Sequence, residues 1–118
     1  MPRPRKGKKV CCIPENTSFG PLNDRDGKRD VVFMSVEEYE TIRLIDYEGL
    51  TQEECAQNMQ VARGTVQKLY TDARRKISQS FVDGKNIRIQ GGDYLLYEEG
   101  EKVHGCRRCR RGRGHGNG

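Results

Sequence analysis

Two groups of side chains in this sequence have types and spacings suited to chemistry. The first is cysteine. Cys11 and Cys12 adjoin near one end, and Cys106-Arg107-Arg108-Cys109 lies near the other. Cys-x-x-Cys is the usual half of a tetrahedral zinc site. Cys11, Cys12, Cys106 and Cys109 therefore form a candidate zinc set if the ends meet, with His104 and His115 as substitutes. Adjacent cysteines make poor joint ligands for one ion, and the alternative is a pair of reduced thiols on a tail. Arginines flanking Cys106 and Cys109 favour the thiolate and would also suit a redox switch. Cys55 falls on an apolar helical face and reads as core.

The second group lies in the longest helical pattern of the chain. Gly64, Gln67, Lys68, Thr71 and Arg75 fall opposite a stripe of Val66, Leu69 and Ile77. Small, amide and cationic side chains on one outward face are the types that read base edges and hold phosphates.

Such a face needs helices to present it. Ser35-Val36-Glu37-Glu38 is a capping box that opens a first helix, with Val36, Tyr39, Ile42 and Ile45 recurring along one face and Gly49 at its end. Thr51-Gln52-Glu53-Glu54 is a second capping box, opening a short helix to about Met59 whose inward residues are Cys55, Ala56 and Met59. Gln60-Val61-Ala62 leads into the long pattern, where Val66, Leu69, Tyr70, Ala73, Ile77 and Phe81 step by three and four until Gly84. A helix-turn-helix needs a small residue where the second helix crosses the first, and Ala56 supplies it. Val61, Val66 and Leu69 stand where apolar residues lock the crossing. The rival reading is an ordinary helical hairpin in a three-helix domain; the polar, largely acid-free outer face favours DNA.

The run from Met34 to Glu54 resembles uncharacterised protein family 0251, small prokaryotic proteins predicted to bind DNA. Pro2-Arg3-Pro4-Arg5, the region around Pro14, and Ile87-Arg88-Ile89-Gln90-Gly91-Gly92 extend the resemblance over most of residues 1–94. The resemblance implies a helix-turn-helix similar to the promoter-binding region four of bacterial sigma factors. It also implies an earlier cysteine in the N-terminal arm, where Gly7 stands here. Two residues depart from such motifs. Gln60 occupies the turn position usually held by Gly, so the turn is reached without a residue that freely adopts positive φ. Ala62 occupies the place of a capping Ser, a cap worth about 1 kcal/mol.

From the motif, Gln67 and Thr71 are candidate base readers, with Arg63 and Lys68 beside them: Gln pairs with adenine, Arg or Lys with guanine. Gly64 either permits close approach to DNA or is merely tolerated in a first turn. Thr51 and Gln52 begin the preceding helix, where backbone amides point towards a phosphate; Thr51 also has its capping role. Arg74 and Arg75 are candidate phosphate contacts, Arg75 reading equally well as a solvated charge. Arg3 and Arg5, separated by proline, suit a minor-groove arm.

Charge patterning agrees with a polyanionic partner. Residues 1–9 and 102–118 carry eleven of the 22 Lys and Arg and none of the 17 acids, which leaves an acidic middle. At 118 residues and 33% hydrophobic, the chain has room for one modest domain. No apolar run approaches the ~20 residues of a membrane span, and no apolar stretch follows the basic N-terminus. The expectation is a cytoplasmic protein. The acids sit where capping and solvation explain them, both His residues lie in the tail, and no Gly-rich phosphate loop is present, so an enzyme is the least favoured class.

The expected fold is mainly α: a three-helix domain containing a helix-turn-helix, with a short β-hairpin and flexible basic tails. The divisions are a basic, Pro-containing arm over 1–30, the helix-turn-helix domain over 31–84, a hairpin extension over 85–101 and an Arg/Gly/Cys-rich tail over 102–118. The expected function is sequence-specific double-stranded DNA binding by a transcriptional regulator. The alternatives are RNA binding, for which the Arg/Gly tail and Tyr94 and Tyr97 speak, and association with RNA polymerase as an accessory factor. Exposed hairpin edges offer a route to a homodimer.

Overall fold

A computed structural model of the chain describes residues 8–23 and 28–96. In order they form β1 (Lys8–Val10), β2 (Ser18–Phe19), β3 (Val31–Met34), α1 (Val36–Thr41) running into a π-helical segment (Ile42–Tyr47), α2 (Gln52–Met59), α3 (Arg63–Asp83), β4 (Asn86–Ile89) and β5 (Tyr94–Leu96). Both expected capping boxes form. Ser35 Oγ accepts from the Glu38 amide at 3.1 Å while Glu38 Oε1 accepts from the Ser35 amide at 2.9 Å. Thr51 and Glu54 repeat the exchange at 3.0 and 2.9 Å.

The core gathers Val10, Met34, Val36, Leu44, Cys55, Ala56, Met59, Val66, Ala73, Ile87 and Ile89, with Val61, Leu69 and Ile77 packed against it. Removing a large aliphatic side chain from water stabilises by about 1.5–3 kcal/mol, so Leu44, Met59 and Val66, each fully buried, anchor the three helices on one another. Phe81 departs from the expected stripe. It stands 81% exposed while Ser80 beside it is buried, because the last turns of α3 extend beyond α2 and face the sheet instead.

The π-helical segment changes which residues of the first helix point inward. The Glu48 amide donates to the Arg43 carbonyl five residues back at 2.9 Å. The widened turn shifts the 3.6-residue phase, so Leu44, outside the expected stripe, is buried completely. The polar side of this helix is also covered. Glu37, Glu38, Glu40, Thr41 and Arg43 are all buried, which corrects the expectation that acids here are solvated. Each carboxylate has a partner. Glu37 accepts from the Asp93 amide at 3.1 Å, Glu38 takes Lys76 Nζ at 2.7 Å, and Glu40 forms a bidentate pair with Arg43 at 2.8 and 2.9 Å while accepting the Cys11 amide at 3.1 Å.

The strands do this covering. β4 is the centre of a three-stranded sheet, antiparallel to β2 and parallel to β3, and the three helices form the crossover that a parallel β3–β4 pair requires. β5 pairs in parallel with β1, in the register Lys8↔Tyr94 to Val10↔Leu96. The hairpin expected over 85–101 is therefore absent: β4 and β5 lie in different sheets. The turn residues explain why. Gly92 has φ 116, and a Cβ there would collide with the Glu37 carboxylate. The Gly91 carbonyl takes the Val36 amide at 3.0 Å, so Gly91–Asp93 wraps the start of α1 and carries the chain away from β4. Two residues of the basic arm are likewise part of the fold: Lys8 and Lys9 lie in β1, and Lys8 Nζ is 3.8 Å from Asp93 and 4.0 Å from Glu37.

Cys55 is core, as its spacing predicts. Burial, reinforced by the nearby Glu40 charge and opposed by Arg43, pushes its thiol from 9.0 up to about 12. The unfolded chain therefore releases this proton near pH 9 while the folded chain retains it. Between pH 9 and about 12, stability should fall by about 1.4 kcal/mol per pH unit through this group. Urea denaturation of the native protein and Cys55→Ala at several alkaline pH values checks this. Their stability difference should shrink as pH rises, and a constant difference refutes it.

Candidate nucleic-acid interface

The candidate surface begins at the junction of α2 and α3. Gln60 caps α2 with φ 59 and ψ 45, and is the one non-glycine residue with positive φ among the described residues. Its amide donates to the Gln57 carbonyl at 3.3 Å, and the Val61 amide donates to the Ala56 carbonyl at 3.0 Å. That paired bonding is a Schellman closure, normally the work of glycine. Val61 then packs on the core beside Ala56, and Ala62 starts α3 from an extended conformation with no side-chain cap.

Both departures noted in the sequence thus have local costs. A left-handed non-glycine residue costs about 1–2 kcal/mol, from which glycine's greater freedom in the unfolded chain subtracts about 0.4–1. Gln60→Gly should stabilise by about 0.5–1 kcal/mol, and Ala62→Ser by about 1 kcal/mol. Thermal melts of the two single variants and the double variant check this; a destabilising Gln60→Gly overturns the turn geometry.

Beyond the turn, α3 presents Arg63, Gly64, Gln67, Lys68, Thr71, Arg74 and Arg75 to solvent, while Val66 and Ala73 hold its opposite side in the core. The candidate set on this helix is therefore brought together on one exposed surface. Lys68 Nζ lies 3.2 Å from Asp72 but is 79% exposed, and such surface pairs are worth about 0–1 kcal/mol, so Lys68 is readily released to a phosphate or base. Arg74 differs. It donates to the Tyr70 hydroxyl at 2.9 Å, lies over that ring with its guanidinium carbon 5.3 Å from the centroid, and stands 4.0 Å from Asp46. Tyr70 in turn donates to Asp46 at 2.7 Å. Burial, then the hydrogen bond and charge of Asp46, raise the Tyr70 hydroxyl pKa against the pull of Arg74. Asp46 and Tyr70 were not read as part of this surface. Tyr70 fell in the apolar stripe by spacing, and its bond to a residue 24 positions away has no sequence signal.

Thr51 is exposed and Gln52 half-buried at the start of α2, and the Thr51 hydroxyl is engaged in its cap. Of the candidate metal set, Cys11 is buried and Cys12 half-buried. Cys106, Cys109, His104 and His115 lie outside the described residues, as do Arg3, Arg5 and Tyr97. Among the described residues no group of three or more His, Cys, Asp or Glu is arranged to hold a metal ion. Tyr94 packs against the core. No helix among the described residues is long and apolar enough to cross a membrane.

Residues 1–97 match the family described as Protein of unknown function DUF134. A UPF0251 protein of Desulfitobacterium hafniense strain Y51 is 58% identical over 96 residues, 81% of this chain and 77% of its own. The chain belongs to the UPF0251 family. A second UPF0251 protein, from Thermoanaerobacter sp. strain X514, is 45% identical over 112 residues, 95% of this chain and 99% of its own. A third, from Halothermothrix orenii, is 48% identical over 108 residues, 90% of this chain and 78% of its own. The UPF0251 membership is the one the sequence resemblance implied. No solved structure matches this UPF0251 chain.

Proposed function

We propose that this UPF0251 protein is a cytoplasmic transcriptional regulator that binds double-stranded DNA sequence-specifically, with α2 and α3 as its helix-turn-helix. The observation that carries this reading is the exposed face of α3 next to a tight, glycine-type turn. Ala56, Val61 and Val66 are spent on packing the two helices, which leaves Arg63, Gln67, Lys68 and Thr71 with no core role. In this reading Gln67 and Thr71 read base edges, Arg63 and Lys68 flank them, Arg75 takes a phosphate, and Thr51 and Gln52 approach the backbone at the start of α2. Arg3 and Arg5 add affinity by counterion release and minor-groove contact. This is a binding role, not an enzymatic one.

The test is selection from a pool of randomised duplex DNA at physiological salt. An enriched motif that is lost on Gln67→Ala supports the reading, and a palindrome in it would reveal a homodimer and its half-site spacing. Retention without a motif, or tight binding to RNA polymerase or single-stranded RNA in its place, would overturn it.

Gly64 supplies a separate check. A Cβ there meets nothing within 4 Å, so Gly64→Ala should stabilise α3 by about 0.5–1 kcal/mol. If the first turn of α3 lies against DNA, the same variant should bind the selected duplex more weakly despite its higher melting temperature. Unchanged binding would mean that Gly64 is only a tolerated first-turn residue.

A further inference from the structure

Between the first helix, α3 and the inner face of the β2–β4–β3 sheet lies a half-open cleft of about 580 Å³. Phe19, Met34, Ile42, Ile77, Phe81 and Ile89 make its walls hydrocarbon. Tyr39 and Ser80 are the two side chains with a polar atom that line it. Ser80 is 8% exposed, and its hydroxyl has no hydrogen-bond partner among the described residues. The Ser80 oxygen is itself open to solvent, so a ligand oxygen would replace water as its partner.

The segments 1–7, 24–27 and 97–118 carry only Met1, Tyr97 and Val103 as large apolar side chains, among many charges and glycines. A second copy would have to present a convex apolar surface. Phe81, 81% exposed, lines the cleft without filling it, and the volume falls within the range of about 300–1,000 Å³ typical of small-molecule sites. The geometry points to a binding site for a small apolar ligand, an aliphatic or aromatic body with one hydrogen-bonding oxygen to meet the Ser80 hydroxyl. This goes beyond the DNA reading and does not depend on it. Ile77, Ser80 and Phe81 do continue the helix that carries Gln67, with Ile77 about 15 Å further along its axis.

The test uses the full chain, the neutral fluorophore N-phenyl-1-naphthylamine and 1-decanol, and requires no DNA. The dye should bind saturably at one per chain and be displaced by 1-decanol. Methyl resonances of Ile42, Ile77, Ile87 and Ile89 should shift while those of Val61 and Leu69 stay. Ser80→Ala should weaken 1-decanol by about 2- to 10-fold and leave the dye unchanged. Ser80→Leu, its fold verified by circular dichroism, should exclude both. No saturable binding, resonance shifts elsewhere, or full binding by a folded Ser80→Leu would overturn the proposal. So would a dimer, seen by sedimentation equilibrium, whose formation excludes the dye, because a second copy would then fill the cleft.

Discussion

Arg43→Ala is expected to destabilise the protein by about 3–5 kcal/mol, the cost of breaking a buried ion pair from one side. The guanidinium is 6% exposed and Glu40 is 1% exposed. Their two parallel bonds, at 2.8 and 2.9 Å, are joined by a third from Arg43 to Glu48 at 3.3 Å. Truncating Arg43 leaves the Glu40 carboxylate inside the protein, accepting from the amide of Cys11, the residue that follows β1. Glu40→Gln should cost less, since the amide oxygen still accepts from Cys11 and Arg43 keeps Glu48. The double change Glu40→Met with Arg43→Leu should recover most of the loss, because apolar groups of similar size escape the desolvation penalty. It should still fall short by about 0.5–1.5 kcal/mol, the worth of the bond from the Cys11 amide to Glu40. Urea denaturation of the three variants gives these values. A loss below about 1 kcal/mol for Arg43→Ala would place the pair among solvated surface bridges and contradict the burial on which this ordering rests.

Gln67→Ala should weaken binding to the selected duplex by about 1–3 kcal/mol, roughly 5- to 150-fold, and leave random duplex unaffected, because a bidentate base contact carries sequence information and little else. Arg75→Ala should act differently, lowering affinity for both duplexes and reducing the salt slope by about one. Arg74→Ala should have the smaller effect of the two arginines, since Arg74 is turned onto Tyr70 and Asp46 while Arg75 is an exposed cation on the same helix. Titrations at several salt concentrations separate these outcomes. Equal losses on both duplexes for Gln67→Ala would reduce α3 to a general phosphate surface. The contribution of the N-terminal arm is best measured by substituting Arg3 and Arg5, because deleting residues 1–9 would also remove most of β1 and its ion pair with Asp93.

The sequence by itself determined what is local. Both capping boxes, the helix ends at Gly49 and Gly84, the inward placement of Ala56, Val61 and Val66, and the outward face from Arg63 to Arg75 all follow from interactions within about one helical turn. The two departures at Gln60 and Ala62 were visible for the same reason: a turn that needs positive φ and a cap that needs a hydroxyl are demands made by neighbouring residues. Only the tertiary structure decided what depends on distant segments. Residues 86–96 alternate around Gly91-Gly92 as a hairpin would, yet the Glu37 carboxylate and the Val36 amide, more than fifty residues earlier in the chain, draw that corner onto α1 and send β5 to β1. The Glu40–Arg43 spacing is that of any solvated i,i+3 pair, and its burial comes from β1 lying over it. Tyr70 reads as core until Asp46 claims its hydroxyl, and the apolar cleft exists only because helix and sheet meet at a distance. The division has one physical cause. Caps and stripes are set by bonds to near neighbours, whereas burial of a charge and the pairing of a strand are set by whichever remote surface excludes the water.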